Sequence, residues 1–260
     1  MTANAIKRQR RYEILVSGTY LESQIEVRWT GKGRKRADQV EPLIEAAWRE
    51  RLVRAKPESL FPGPLCRLDR YLVSDGRLVL ELGPTDYREM IGTNVCHPEI
   101  ASRLGHDYLS NALAVHAAVT TTDERVLVFQ RSWEVGEYPG AYDVFGGHLD
   151  PDADLVGGVP SPYATLRREL QEEIGLSETD IIRVVCHGLV RNVRTLKPDL
   201  IFDVWTRRSW AEFQRIRLDE EHRGIYSVLN RPRDIARFIK DHAEGIAPAG
   251  VAALELHLTG

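Results

Sequence analysis

The sequence predicts a layered α/β (α+β) protein in two parts, and three observations carry this. Short apolar, strand-like runs alternate with helix-period runs along the whole chain. At 260 residues the chain amounts to about 1.7 domains of ordinary size. Hydrophobic residues make up 43% and charged residues 28%, the balance of a globular chain and not of a disordered, collagenous or rod-like one. The division falls near residues 105–112. It gives a smaller N-terminal α/β domain over 1–108 and a second domain over 109–260.

The first part opens with strand-like runs at Tyr12–Ser17 and Gln24–Trp29. Gly31-Lys32-Gly33-Arg34-Lys35-Arg36 reads as a solvated turn, since no aromatic is interleaved as a nucleic-acid patch would require. Residues 38–54 form a helix, with Val40, Leu43, Ile44, Ala47, Trp48 and Leu52 at helical spacing. Pro57, Pro62 and Pro64 break the chain. Strands at Cys66–Val73 and Arg77–Leu82 make a hairpin around Ser74-Asp75-Gly76, and Gly83-Pro84 ends the second of them. Thr85–Asn94 is a short turn-rich stretch.

The second part is richer in strands. Ala112–Thr120 and Arg125–Arg131 flank a hairpin turn at 121–124, and a short strand at Ala141–Phe145 ends in Gly146-Gly147. A Gly/Pro/Asp loop covers 148–160 and a helix 162–174. Strands follow at Ile181–Val190 and Leu200–Arg207, then a short helix at Trp210–Ile216 and a strand at Gly224–Leu229. Helices at 232–242 and 247–257 close the chain.

Several function classes are excluded at this level. A net charge of −3 supplies no basic field for nucleic acid. No apolar run approaches the roughly 18–20 residues of a membrane span. The basic start (Lys7, Arg8, Arg10, Arg11) is followed by a run too short and polar for a signal-peptide core. Three cysteines, Cys66, Cys96 and Cys186, make no disulfide framework, which points to a cytoplasmic protein with reduced thiols. Cys96-His97 and Cys186-His187 lack the two-to-four-residue gaps usual between zinc ligands, and both cysteines read as small core residues. The oligomeric state is not legible.

The chemistry sits on the helix at 162–174. Ser161 suits its N-cap, Pro162 its first position and Gly175 the position past its end. Tyr163, Leu166, Leu170 and Ile174 form one apolar stripe. Relative to Glu169, Glu172 falls at about −60° and Glu173 at about +40°, so three carboxylates share an arc beside the buried face. Like charges at these spacings destabilise a helix. A hard divalent cation, which takes oxygen ligands, offsets that repulsion. Arg168, four residues before Glu172, is placed to hold its carboxylate. A Glu-rich helix edge is ordinarily a solvated face; the strand, the Gly-Gly pair and the phosphate-sized loop just before it set this one apart.

Gly146-Gly147 followed by Arg168-Glu169-Leu170-Gln171-Glu172-Glu173-Ile174-Gly175-Leu176 resembles the Nudix box. The helical half matches at every specified position. The first half departs: Gly147 to Arg168 is 21 residues, seven more than the family spacing. The family's extra glutamate in that half has no counterpart, and Asp150, Asp152 and Asp154 are the candidates to replace it. The resemblance implies a Nudix fold, a mixed sheet between helices. It also implies hydrolysis of a nucleoside diphosphate derivative, with Mg²⁺ (or Mn²⁺) on Glu169, Glu172 and Glu173 and with Arg168 in the catalytic set.

A second resemblance covers more of the chain. It rests on Ile44–Leu52, on Leu82–Asn94 and on Asp143-Val144-Phe145-Gly146-Gly147-His148 with the long insertion. These segments are similar to the UDP-glucose pyrophosphatase branch of the superfamily, which carries an extra N-terminal domain. It implies cleavage of UDP-glucose or UDP-galactose to UMP and sugar 1-phosphate. The alternatives are another diphosphate, such as ADP-ribose or a dinucleotide, and a non-catalytic nucleotide sensor. Substrate contacts are expected from Tyr87, Arg88 and Asn94 at the domain seam, from Arg131, Asp143, Gly146 and Gly147 before the box, and from Arg191-Asn192 after it. Glu220 or Glu221 is the candidate loop base, against the reading of a solvated acidic loop.

Overall fold

The computed structural model describes residues 10–54, 60–218 and 222–260. Pro57, Glu220 and Glu221 lie outside the described residues, as do Lys7 and Arg8. The first part contains β1 (Tyr12–Tyr20), β2 (Ile25–Trp29), α1 (Glu41–Arg54), β3 (Pro64–Ser74), β4 (Arg77–Asp86), α2 (Tyr87–Met90) and α3 (Ile100–Leu104). Next come β5 (Ala114–Thr120), β6 (Arg125–Arg131), β7 (Tyr142–Asp143), β8 (Phe145–His148), β9 (Leu155–Val156), β10 (Val159–Pro160) and α4 (Pro162–Ile174). The chain closes with β11 (Ile181–Asn192), β12 (Pro198–Thr206), α5 (Trp210–Phe213), β13 (His222–Leu229), α6 (Pro232–Asp241) and α7 (Pro248–His257).

The large sheet runs β1-β11-β12-β5-β6-β13, with β7 added to β6 and β8 to β5. It is mixed, because β12 and β5 are parallel while their other neighbours are antiparallel. β5 and β12 are covered on both faces and read as nearly continuous apolar runs. On one face the α4 stripe (Tyr163, Leu166, Leu170, Ile174) packs against Val115, Ala117, Leu200 and Phe202. On the other, Ile235 and Ile239 of α6 and Val251 and Leu254 of α7 pack against Ala118, Val126 and Ile201. Each fully buried Leu or Ile there contributes about 1.5–3 kcal/mol. The α/β class and the mixed sheet between helices are therefore as expected.

The first part contributes to both layers. β1 is the edge strand of the large sheet, paired with β11. A smaller sheet, β2-β4-β3, places Leu68, Leu78, Leu80 and Leu82 in the same core cluster as α4.

Four local expectations need correction. Gly83-Pro84 does not end β4, which continues to Asp86. The β2 ladder ends at Leu82, so beyond it no β2 strand bond calls for the N–H that proline lacks. Thr85–Asn94 is not merely turns: after β4, Asp86 caps α2 by accepting from the Glu89 N–H, and a buried π-turn over Ile91–Val95 follows. Gly146-Gly147 lies within β8 and pairs with β5. Arg34 is not solvated; it is buried on Glu41 and Glu89.

Candidate active site

The sheet forks, and the fork makes a cleft. β5 and β6 pair only at Val119–Leu127 and Thr120–Val126. Beyond that they part, β8 filling in against β5 and β7 against β6. A cleft of about 240 Å³ opens there. It is lined by Ala114 and His116 of β5, Phe129 and Arg131 of β6, Gly146–His148 of β8, and Glu169 and Glu173 of α4. Glu137, Lys197 and His222 complete it.

α4 is fixed at both ends: Ser161 accepts from the Ala164 N–H, and Gly175 adopts the left-handed conformation past its last turn. Its carboxylates are held unequally. Glu173 is buried and accepts from the Gly146 N–H at 3.2 Å, with His222 Nε2 3.4 Å away. Glu169 is mostly buried, 3.0 Å from Arg168 Nη2. Burial pushes its carboxyl up to about 7, against the pull of Arg168 and with the push of Glu173 and Glu172. Glu172 is exposed, on the 3.0 Å contact from Arg168 Nη1. A Cβ on Gly147 would lie 2.1 Å from Glu169 Oε1, so a glycine there leaves the carboxylate its place.

Of the three candidate aspartates, Asp154 is the one that grips Arg168. Fully buried, it receives Arg168 through both oxygens (2.8 and 3.0 Å) and the Thr165 hydroxyl at 2.7 Å. This bidentate grip raises the Arg168 pKa, with burial opposing. Arg168 is thereby fixed over Glu169 and Glu172. The insertion is also explained. The Ser161 N–H donates to the Asp154 carbonyl at 2.8 Å, closing off residues 155–160, which project as the β9–β10 hairpin. Gly147 to Asp154 is seven residues and Asp154 to Arg168 fourteen. Six of the seven extra residues thus leave the site untouched.

Among the described residues, no three His, Cys, Asp or Glu side chains already form a metal cage. The donor set still suits a hard divalent cation, which takes carboxylate oxygens along with water and substrate oxygens. Burial raises the Glu169 carboxyl although Arg168 lies 3.0 Å away, and that carboxylate sits directly over Gly147.

Of the expected substrate residues, Arg131, Gly146 and Gly147 line the cleft. Asp143 lies behind it, buried and 3.2 Å from Arg131 Nη1. The others are elsewhere. Arg88 is paired with Glu45. Asn94 is buried, donating to the Thr195 carbonyl at 3.0 Å and accepting from the Asn111 N–H at 2.8 Å. Arg191 is paired with Glu13. Asn192 is buried and donates to the Tyr138 hydroxyl at 2.6 Å. Tyr87 packs its hydroxyl against Gly136, in the loop that carries Glu137. Of the two Cys-His pairs, Cys186 is buried as expected and Cys96 is exposed, and all three cysteines are free.

The sequence reading missed Lys197, Glu137, His148 and His116. Lys197 is buried, with Nζ 2.8 Å from Glu137 Oε2 and 3.3 Å from His148 Nε2. Burial raises the Glu137 pKa, but Lys197 and His148 hold it down at about 2. Burial and Lys197 hold His148 at about 3, so its imidazole is neutral. His116 Nδ1 faces Asp199 Oδ1 at 3.6 Å, and neither atom has a hydrogen-bond partner among the described residues. Burial lifts Asp199 to about 7. One signal was available: a histidine in the apolar run of β5, and aspartates in that of β12, must be paired or functional when buried.

The NUDIX domain family matches residues 110–245. The chain is 31% identical over 174 residues to the human protein named uridine diphosphate glucose pyrophosphatase NUDT22, covering 57% of each. It is 35% identical over 206 residues to the mouse protein of that name, covering 70% of this chain and 64% of that one. It therefore spans about three-fifths of the length of these two relatives. Nudix hydrolase 9 of Arabidopsis thaliana is 31% identical over 246 residues, covering 79% of this chain and 78% of that one. With the family match over the cleft and box helix, and the Arabidopsis likeness over most of its length, the chain belongs to the Nudix hydrolase family.

Proposed function

We propose that this chain is a Mg²⁺-dependent pyrophosphohydrolase that cleaves UDP-glucose or UDP-galactose to UMP and sugar 1-phosphate. The observation that carries the reading is one cleft uniting the box carboxylates Glu169 and Glu173 with the Arg131 guanidinium. The substrate class follows the two mammalian relatives, named for UDP-glucose, at 31% and 35% identity.

Glu169, Glu172 and Glu173 would hold the metal, which when bound neutralises phosphate oxygens and lowers the pKa of the attacking water. The protein's own groups supply the positioning that dominates phosphoryl transfer. Asp154 fixes Arg168 and Arg168 fixes Glu172. The Gly146 N–H and His222 orient Glu173. Arg131, braced by Asp143 and by the Glu137 carbonyl, faces the diphosphate.

The N-terminal part, residues 1–108, acts as the recognition layer, and it does so through the loop between β6 and β7. Arg51 of α1 donates to the Gly136 carbonyl at 3.0 Å, and Tyr87 packs on the same glycine. Arg88, Asn94, Arg191 and Asn192 act as positioning residues in this scheme. Free thiols fit a reducing cytoplasm.

The test is turnover of UDP-glucose and ADP-ribose, each with Mg²⁺ and with EDTA, the products resolved by chromatography. UMP with glucose 1-phosphate, formed only with metal, is the expected result. Cleavage of ADP-ribose alone would discard the substrate assignment and keep the hydrolase. Cleavage of neither would count against both.

A further inference from the structure

The loop between β6 and β7 threads a carboxylate into the cleft, and that carboxylate is not what ties the loop down. Glu137 Oε2 receives Lys197 at 2.8 Å, and Oε1 is buried with no partner among the described residues. The loop is tied down by other atoms: Arg51 to the Gly136 carbonyl, Arg131 Nε to the Glu137 carbonyl, Gln130 to the Gly140 carbonyl and Asn192 to the Tyr138 hydroxyl. The Glu137 side chain can therefore leave Lys197 while every one of these tethers stays.

Lys197 is unusual in turn. The chain carries 35 basic residues, of which only six are lysines, yet a lysine supplies this buried cation. An ammonium is a compact point charge with no fixed fork. It exchanges one anionic acceptor for another with little geometric cost. Burying it without a counter-ion is expensive, so an empty cleft needs an internal anion. His148, neutral, accepts from Lys197 and steadies it without adding charge.

We propose that Lys197 is a phosphate-binding residue of the cleft, and that the Glu137 carboxylate is its internal stand-in, displaced when a phosphate oxygen of the substrate arrives. Carboxylate and phosphate oxygens are equivalent partners for an ammonium, each making a charge-assisted hydrogen bond. The stand-in lowers the apparent affinity, because the binding-competent state is the one in which Glu137 has swung away. The inference rests on the proposed reading only in that the cleft takes a diphosphate.

The arrangement has a signature that a structural ion pair lacks. Breaking a pair that serves only the fold destabilises the protein from either side and does not tighten diphosphate binding. Here the two sides have effects on that binding of opposite sign. The probe is methylenediphosphonate, a non-hydrolysable diphosphate, titrated calorimetrically into the full chain with saturating Mg²⁺. Lys197→Gln is expected to weaken binding roughly tenfold or more, the loss of one charge-assisted hydrogen bond. Glu137→Gln is expected to tighten it several-fold and to lower the KM for the hydrolysed substrate. Weaker or unchanged binding in Glu137→Gln would overturn the proposal, whatever Lys197→Gln does; so if Lys197→Gln fails to fold, Glu137→Gln decides alone. If wild-type protein leaves UDP-glucose intact while the opposite-sign pattern holds, the substrate reading fails and the assignment of Lys197 stands. If UDP-glucose is cleaved and both variants weaken the probe alike, only the assignment of Lys197 and Glu137 falls.

Discussion

The two sides of the cleft are built in different ways. The carboxylate side comes from one helix: Glu169, Glu172 and Glu173 lie within five residues of α4, capped at both ends and seated on a buried stripe. The cationic side is gathered from separate elements: Arg131 at the end of β6, Glu137 in the following loop, His148 in β8 and Lys197 just before β12. The helix side is braced by Asp154 and by the Gly146 N–H. The other side keeps two buried atoms, Glu137 Oε1 and His116 Nδ1, with no hydrogen-bond partner among the described residues. Buried polar atoms are ordinarily satisfied. Under the proposed function this difference is a division of labour, with charge for a metal on one side and spare bonding capacity for substrate on the other.

The largest effects are expected on the braced side. Glu169→Gln, Glu172→Gln and Glu173→Gln should each lower turnover by roughly 100-fold or more, with the melting temperature little changed. Retention of near-full activity by Glu172→Gln and Glu173→Gln would remove the metal site proposed here. Gly147→Ala probes the same side without touching a charge. Its backbone is not left-handed, but its Cβ would meet Glu169 Oε1 at 2.1 Å. Turnover should drop about tenfold or more, since small misplacements of reacting groups are costly, while far-UV circular dichroism stays native.

Asp154→Ala tests the brace itself. It leaves Arg168 and the Thr165 hydroxyl without their shared acceptor. The expected loss is about 2 kcal/mol of stability by denaturant unfolding, together with lower activity. An unchanged midpoint would show that Arg168 finds enough support in Glu169 and Glu172.

Strand β12 carries two aspartates four residues apart, and they sharpen the contrast. Asp203 accepts from His187 at 2.9 Å, with His257 Nδ1 at the same distance. Although burial opposes it, these histidines hold Asp203 below its ordinary value, whereas burial lifts Asp199 to about 7. A lowered carboxyl contributes stability above its unfolded pKa, near 4, and loses it as pH falls through the folded value. A raised one contributes at low pH and loses it as pH rises through about 7. Unfolding titrations should show Asp203→Asn flattening the acid limb below about pH 4 and Asp199→Asn flattening the slope between about pH 4 and 7. Matching profiles for the two variants would erase the distinction.

What was legible follows the same line. The sequence predicts α4 over 162–174 and the helix spans Pro162–Ile174, because caps, stripe and carboxylates are all written within fifteen residues. The fork of β5 and β6 was not legible, since it depends on β8 pairing across some thirty residues of chain. Lys197 stands alone between Leu196 and Pro198, and only tertiary structure brings it to Glu137 and His148. Pro84 misled because its tolerance depends on where β2 ends. Asp154 was one of three candidate aspartates, and its choice depends on the fold of the hairpin that follows it.

The most direct test compares wild-type protein and Glu173→Gln in a Mg²⁺ titration of UDP-glucose hydrolysis. The expected result is saturable, metal-dependent release of UMP and glucose 1-phosphate by wild type, and release reduced roughly 100-fold or more by the variant. Equal rates for the two proteins, or rates indifferent to Mg²⁺ and EDTA, would contradict a metal-charged cleft on the box helix.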